Sequence, residues 1–330
     1  MNKTVIKGIG IISELGNNPA EVLEHYEDDK MCRGGKLSYE NRIDPSKMRR
    51  MSRLAKMLAN TAADCIKCSN MEDFTKASNE VGIIMNTAYG PINTNIDFGG
   101  VIKNPELASP TDFANTVSNA AIGHVAIYFG LKGSSTLLMG SNVTGYTMRQ
   151  LEKKASDYII ACSAEEYCTP IAEYARQKFH ENLFSEGVVS LLLSSRGDSE
   201  FGYIIADAET GLGYSPLYSE VKDETTKFIR VMDKAMKKAG LTEADFDAVI
   251  LASDPLTGIR EYEEKAINQV FREQVKRIYS KDMLGETSGA GSLLNIALAS
   301  ILIKNERFHK IMVLGLEVSG TLEAYVISKD

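Results

Sequence analysis

Apolar runs that suit β-strands alternate with helical patterns along the whole of this 330-residue chain. The alternation is typical of an α/β protein whose sheets are buried on both faces. The predicted strands are residues 5–13, 81–88, 136–140, 158–163, 188–194, 201–208, 248–253, 310–316 and 322–328. The predicted helices are residues 48–68, 119–129, 142–155, 225–239, 260–273 and 290–305.

The pattern further predicts two similar halves, residues 1–200 and 201–330. Each half ends in a glycine-containing turn, a helix and two strands; the turns are 139–145 (MGSNVTG) and 285–291 (GETSGAG). Such turns let the backbone approach a ligand, and a helix N-terminus offers free N–H groups to an anion or acyl oxygen. Tight packing alone explains the glycines equally well. Because no Pro/Gly/Ser-rich linker separates the halves, we expect one compact body.

Several segments carry a resemblance to a known family, in the order that the family has them. They are 5–17, 115–127 (NTVSNAAIGHVAI), 130–133, 185–187 (SEG), 239–247 and 263–267. They resemble the β-ketoacyl-acyl-carrier-protein synthases (ketosynthases), condensing enzymes of the thiolase fold. The resemblance implies an α/β fold with thiolase-like α-β-α-β-α layers. The chain is a few tens of residues shorter than typical members, chiefly after Cys168 and in the cap loops, which implies a reduced cover over the pocket.

The positions that carry chemistry in the family are changed here. Read without gaps, the nucleophilic cysteine at the strand-to-helix elbow falls on Asn142. The two catalytic histidines fall on Ala252 and Glu286. The lysine before the second histidine motif remains as Lys281, and the phenylalanine that gates the pocket is replaced by Val318. The resemblance implies that Lys281 and Val318 lie at an acyl pocket or its gate.

These replacements remove the groups that condensation needs. An amide cannot act as the nucleophile, because its nitrogen lone pair is delocalised into the carbonyl. Ala252 offers no hydrogen-bond donor, and an ionised Glu286 would repel the malonyl carboxylate unless burial kept it protonated. Losing one preorganised donor commonly costs roughly 10²–10³ in rate. We therefore expect no catalytic residue at Asn142, Ala252 or Glu286 and no synthase activity from the chain alone.

The resemblance implies a role for such a chain as the non-catalytic half of a heterodimer. In chain length factors of polyketide and aryl-polyene pathways, an amide often replaces the cysteine, and the subunit pairs with an active ketosynthase. The expected partners are that synthase and, through the complex, an acyl carrier protein, in polyketide, aryl-polyene or fatty-acid biosynthesis. Phe113 and Thr116 would face the partner's pocket across the dimer; the alternative for both is a buried corner of the core.

Two other functions stay open at this point. One is an enzyme with altered chemistry, a decarboxylase or an acyl hydrolase that uses Glu286 and Lys281. The other is a homodimeric acyl-binding protein without an active partner.

Composition excludes several classes of function. The net charge of −7 and the lack of a long basic tract argue against nucleic-acid binding. Apolar runs fall short of the roughly 20 residues of a membrane span, and the N-terminus lacks a signal-peptide cleavage site, so we expect a cytoplasmic protein. Cys65 and Cys68 lie in a predicted helix without a second pair or a histidine cluster, and neither a metal nor another cofactor is expected.

Overall fold

The computed structural model describes residues 3–69, 71, 74, 80–181, 183–271 and 275–330. In this part of the chain, the strands of a single sheet are β1 (Thr4–Ile12), β2 (Val81–Thr87), β3 (Ser135–Met139), β4 (Tyr158–Glu165), β5 (Gly187–Ser194), β6 (Tyr203–Gly211), β7 (Ala248–Ile250), β8 (Lys276–Ile278), β9 (Lys310–Leu316) and β10 (Thr321–Ser328).

The helices often begin at side-chain caps that the sequence supplies; Asn18, Ser52 and Ser109 each accept a hydrogen bond from the first helical turn. Their bounds are α1 (Pro19–Glu27), α2 (Arg53–Cys68), α3 (Ile92–Val101), α4 (Pro110–Asn115), α5 (Ala120–Phe129), α6 (Val143–Glu152), α7 (Thr169–Phe179), α8 (Thr225–Ala239), α9 (Ile259–Phe271), α10 (Ser280–Leu284) and α11 (Gly291–Lys304). Within the described residues, none of the helices has the length and apolar character that a bilayer crossing requires.

The strand order reveals two halves of the same topology. The order across the sheet is β3-β2-β4-β5-β1-β6-β10-β9-β7-β8. From the centre of the sheet outward, the first half has the order β1-β5-β4-β2-β3 and the second half has the order β6-β10-β9-β7-β8. Each half thus places its first, fifth, fourth, second and third strands in the same succession. A pseudo-two-fold axis between β1 and β6 relates the two halves. Those two strands pair only at Thr4 and Val5, and this short antiparallel contact joins the halves. The boundary at residue 200 stays a prediction.

Three large hydrophobic clusters fill the spaces between the layers of the fold. Along β2 and β9, alternate residues belong to different clusters, because successive side chains of a strand point to opposite faces of the sheet. The central cluster contains α6 and α11 between the two halves of the sheet, while α2 with α5 and α8 with α9 cover the outer faces. Helix α11 is buried from Gly291 to Ile303, as expected for a helix that is largely apolar on all sides. The predicted α-β-α-β-α thiolase-like fold class is confirmed.

The predicted elements correspond closely to the observed ones. All nine predicted strands exist with small shifts at their ends, and β8 was missed because its three residues (Lys-Arg-Ile) carry too little pattern. Helices α1, α3, α4, α7 and α10 were also missed; of these, α4 and α10 have only six and five residues. The predicted helix 260–273 is α9, whose described part ends at Phe271; positions 272 and 273 lie outside the described residues.

Candidate functional site

The strand-to-helix turn after β3 holds Asn142 in a closed set of hydrogen bonds. Asn142 is the N-cap of α6, and its Oδ1 accepts the Gly145 N–H at 2.6 Å. The Tyr325 hydroxyl lies 2.7 Å from the same oxygen, and Asn142 Nδ2 donates to Glu209 Oε2 at 3.0 Å. The side chain is 4% exposed. The amide therefore points into the protein and is fixed at both ends.

The second glycine turn packs against the first half of the molecule. A Cβ on Gly289 would lie 2.6 Å from the Ala88 nitrogen and 2.7 Å from Glu165 Oε1. At this position, tight packing is thus the reason for glycine. The Asn86 side chain links the two turns, since its Oδ1 accepts the Ser141 N–H at 3.0 Å and its Nδ2 donates to the Gly289 carbonyl at 2.9 Å.

Glu286, which the resemblance aligns with the second histidine, forms a buried ion pair. Lys281 Nζ lies 2.5 Å from Glu286 Oε2, and both side chains are less than a tenth exposed. The other carboxylate oxygen accepts the Ser288 N–H at 2.7 Å. Helix α10 carries Lys281 and ends at Gly285, whose φ of +79° turns the chain toward Glu286.

The ion pair borders a cavity of only about 20 Å³, room for about one water molecule. Ligand pockets commonly have volumes of about 300–1,000 Å³, so an acyl chain does not fit here. Of the residues singled out in the sequence, Lys281, Glu286 and Val318 line this cavity, whereas Asn142 and Ala252 do not. The lining comprises Ser215, Pro216, Leu217, Asp254, Lys281, Glu286, Leu316, Glu317 and Val318.

Three carboxyl groups face the single ammonium group of Lys281. Burial raises the pKa of Glu286, although Lys281 opposes the rise, and burial together with Glu323 raises the pKa of Glu317. Burial alone would lower the pKa of Lys281, but Glu286 and Asp254 outweigh it and hold the pKa above its usual value. Lys281 is therefore an ammonium ion at neutral pH and cannot act as a base.

Ala252, which the resemblance aligns with the first histidine, lies behind the cavity wall. Its N–H donates to Glu263 Oε1 at 2.7 Å, and the Ser253 N–H donates to Glu263 Oε2 at 3.0 Å. Ala252 and Glu263 are fully buried. The carboxylate from α9 thus fixes the loop after β7 from behind, and Asp254 is the residue of this loop that reaches the cavity.

Asp254 and Glu317 were missed by sequence reasoning. Both directly follow or lie close to a buried strand end, where an acidic residue is costly unless it is paired. The sequence carried that signal, because Asp254 directly follows the predicted strand 248–253 and Glu317 directly follows the predicted strand 310–316.

Neither Cys162 nor Cys168 supplies a substitute nucleophile at this site. Cys162 lies on β4, where its thiol donates to the Ile84 carbonyl at 3.3 Å. Cys168 precedes α7. Burial raises the pKa of both thiols, which keeps them protonated and unreactive.

Large apolar side chains are exposed on β3, the strand that leads into the elbow, and on the segments that precede it. β3 is an edge strand of the sheet, and Phe113 before it is 63% exposed, so the alternative of a buried core corner is wrong for Phe113. The Thr116 hydroxyl donates to the Phe113 carbonyl at 2.7 Å. Helices α3, α4 and α5 pack in series, and α5 packs against α2 and β2. We name as the apolar patch five exposed residues: Ile96 on α3, Phe113 on α4, Val117 between α4 and α5, Ile127 on α5 and Met139 on β3.

Restoring the nucleophile alone should fail. Asn142→Cys should lower the free energy of unfolding by about 2–3 kcal/mol, since it removes an N-cap and leaves the buried Tyr325 hydroxyl without its acceptor. Urea denaturation measures this loss. Asn142→Ser, which keeps a capping oxygen, should recover about 1 kcal/mol of it. Thioester assays should find no condensation by Asn142→Cys. A working synthase would contradict the expectation that the losses at Ala252 and Glu286 also prevent condensation.

A family model and several solved structures match this chain. The family model "Beta-ketoacyl synthase, N-terminal domain" matches residues 37–208, just over half of the chain. Among curated proteins, none matches the sequence significantly. Similar solved structures include the ishigamide ketosynthase/chain length factor, with 16% identity, a TM-score of 0.80 and 99% of both chains covered.

Two further structures have the same fold. The ketosynthase ApeO in complex with its chain length factor ApeC, from Xenorhabdus doucetiae, has 16% identity, a TM-score of 0.81, and 99% of this chain and 98% of that chain covered. A beta-ketoacyl synthase from Burkholderia phymatum STM815 has 15% identity, a TM-score of 0.82 and full coverage of both chains. At these identities the structural likeness establishes the fold alone. The family model, which matches more than half of the sequence, establishes the family: this chain belongs to the beta-ketoacyl synthase family.

Proposed function

We propose that this protein is a non-catalytic, chain-length-factor-type subunit. It pairs with an active β-ketoacyl-acyl-carrier-protein synthase in polyketide, aryl-polyene or fatty-acid biosynthesis, and meets the acyl carrier protein through that complex. The observation that carries the proposal is the residue at the elbow: the side-chain amide of Asn142 is buried, and both its oxygen and its nitrogen are hydrogen-bonded within the protein. Nothing at this position can accept an acyl group.

The second observation is the occupied space around Glu286. In an active site, this volume must admit the acyl and malonyl groups, whereas here Lys281 and Glu286 fill it and leave about 20 Å³. This closure disfavours a decarboxylase or hydrolase that uses Glu286 and Lys281, because such an enzyme needs room for its substrate beside them. It also leaves no tunnel beside Glu286 for the chain that an acyl-binding homodimer would hold there. We propose Lys281 and Val318 as residues that close the former pocket rather than gate it.

The third observation is the apolar patch beside the edge strand β3. Five large apolar side chains are exposed there, and an unpaired edge strand exposes backbone hydrogen-bonding groups. Phe98 packs against Phe113 with ring centroids 5.6 Å apart, so the ring of Phe113 is held in place. We propose that β3 and the patch form the heterodimer interface, with Phe113 and Thr116 facing the partner synthase.

We also propose a cytoplasmic location. All five cysteines carry free thiols, which fits a reducing compartment.

Co-expression with a synthase that retains its cysteine and both histidines tests the proposal. We expect a one-to-one complex, and product only when both chains are present. Purified alone, this chain should neither become acylated by acyl thioesters nor condense them. Changing the size of Phe113 or Thr116 should alter product length while priming of the synthase stays unchanged. If the synthase made the same product at the same rate without this chain, the proposal would be wrong.

A further inference from the structure

A buried hydrogen-bond chain beneath the elbow has no role in the proposed pairing. The Tyr325 hydroxyl lies 2.7 Å from Asn142 Oδ1 and 2.6 Å from Glu323 Oε2. Tyr325 is fully buried and Glu323 is 1% exposed. Both residues lie on β10, in the second half of the molecule, so this contact fixes the elbow of the first half from across the central layer.

The protons of this chain can be counted. The orientation of the Asn142 amide is set, because Oδ1 accepts the Gly145 N–H and Nδ2 donates to Glu209. Its oxygen can only accept, so the single proton of the Tyr325 hydroxyl must point at Asn142. The 2.6 Å contact between Tyr325 and Glu323 then needs a proton from the carboxyl group. If Glu323 were ionised, one of the two contacts would join oxygens with no proton between them.

We propose that Glu323 is a neutral carboxylic acid in the folded protein and that its proton completes the chain that holds Asn142 at the elbow. Glu323 donates to Tyr325, Tyr325 donates to Asn142, and Asn142 donates to Glu209. Loss of the proton leaves this chain one donor short. The centre of the molecule therefore carries a pH-sensitive lock, which is closed when Glu323 is protonated.

The charges around Glu323 favour the neutral form. Asp207 and Glu209 face it from β6, and Glu317 faces it from the loop after β9. The Ser292 hydroxyl faces it from α11, and Tyr325 from its own strand. Arg149 on α6 and Lys238 on α8 pair with Asp207. No lysine or arginine of the described residues pairs with Glu323, while three carboxyl groups surround it.

The direction of the pH effect follows from these surroundings. Burial, assisted by the negative charges of Glu209 and Asp207, raises the pKa of Glu323 from 4.5 to about 7. The folded state thus keeps a proton that the unfolded state releases first. The contribution of Glu323 to stability is complete below about pH 4.5 and is lost as the pH rises through about 7.

Glu323→Gln tests the lock, because a glutamine amide can donate to Tyr325 at any pH. Urea denaturation of the full chain at about pH 5.5 and about pH 8.5 gives the ratio of folded to unfolded protein. At the higher pH we expect this ratio to be at least about tenfold larger in Glu323→Gln than in the wild type. Hydrogen exchange should show the Gly145 amide less protected in the wild type than in the variant at about pH 8.5 and equally protected at about pH 5.5.

Glu40→Gln, at an exposed position, is the matched control and should keep the wild-type pH dependence. The carboxyl ¹³C shift of Glu323, followed by NMR in the wild-type protein, gives the same test even if the variant does not fold. We expect this shift to titrate near neutral pH. A carboxyl group that titrates near its ordinary value, or a variant with the wild-type pH dependence, would overturn the proposal.

Discussion

Lys281→Met should lower the free energy of unfolding by about 3–5 kcal/mol, the loss expected when one partner of a buried ion pair is removed. The effect is large because Lys281 is the cation that faces Asp254, Glu286 and Glu317 around the closed cavity. Without it, three buried carboxyl groups face one another. Urea denaturation at neutral pH measures the loss. Lys234→Met, which removes an exposed lysine, should change stability by no more than about 0.5 kcal/mol.

The double variant Lys281→Met/Glu286→Gln should recover a large part of the loss. It removes the anion together with the cation and keeps the oxygen that accepts the Ser288 N–H. The deficit of Lys281→Met should also shrink in acid. Burial raises the pKa of Glu286, and the opposing Lys281 is gone in the variant, so the folded variant takes up a proton that the unfolded chain lacks. A single variant that loses less than about 1 kcal/mol, or a double variant no better than the single one, would show that the pair is not formed.

Much of the fold could be predicted from the sequence because its strands are buried on both faces. Apolar runs such as those of β2 and β9 predict buried strands directly, and the paired glycine turns predict where α6 and α11 begin. The short β8 could not be predicted. Its residues Lys-Arg-Ile gain their strand conformation from pairing with β7, a tertiary contact that leaves no local pattern.

The candidate site was predictable in its residues but not in its contacts. Alignment to the family motif marks Asn142 and Glu286, and the structure places Glu286 at the cavity. The sequence could not reveal that the Asn142 amide turns away from the cavity, because its partners Glu209 and Tyr325 lie far along the chain. Nor could spacing reveal that Ala252 is hidden behind Asp254. Such pairings depend on how the two halves pack, and charge neutralisation by Lys281 became apparent only in three dimensions.

The apolar patch carries the second large prediction. Phe113→Asp and Ile127→Asp should each weaken binding to the cognate synthase by about 2 kcal/mol or more, about 30-fold in Kd, and the double variant by about 10³-fold. Ile127 is 83% exposed and Phe113 is 63% exposed, so neither aspartate disturbs the core of the free subunit. The free energy of unfolding of the isolated chain should therefore change by no more than about 0.5 kcal/mol.

Met31→Asp is the matched control for this surface. Met31 is also an exposed apolar residue, but it lies beside β8, at the edge of the sheet opposite to β3. Titration calorimetry with the synthase should give the wild-type Kd for Met31→Asp. Because a charge at the centre of an interface cannot be solvated there, the loss should occur only where the partner covers the patch. If all three aspartate variants bound equally well, the interface would lie elsewhere; if Met31→Asp alone lost binding, the synthase would pair with the β8 edge instead.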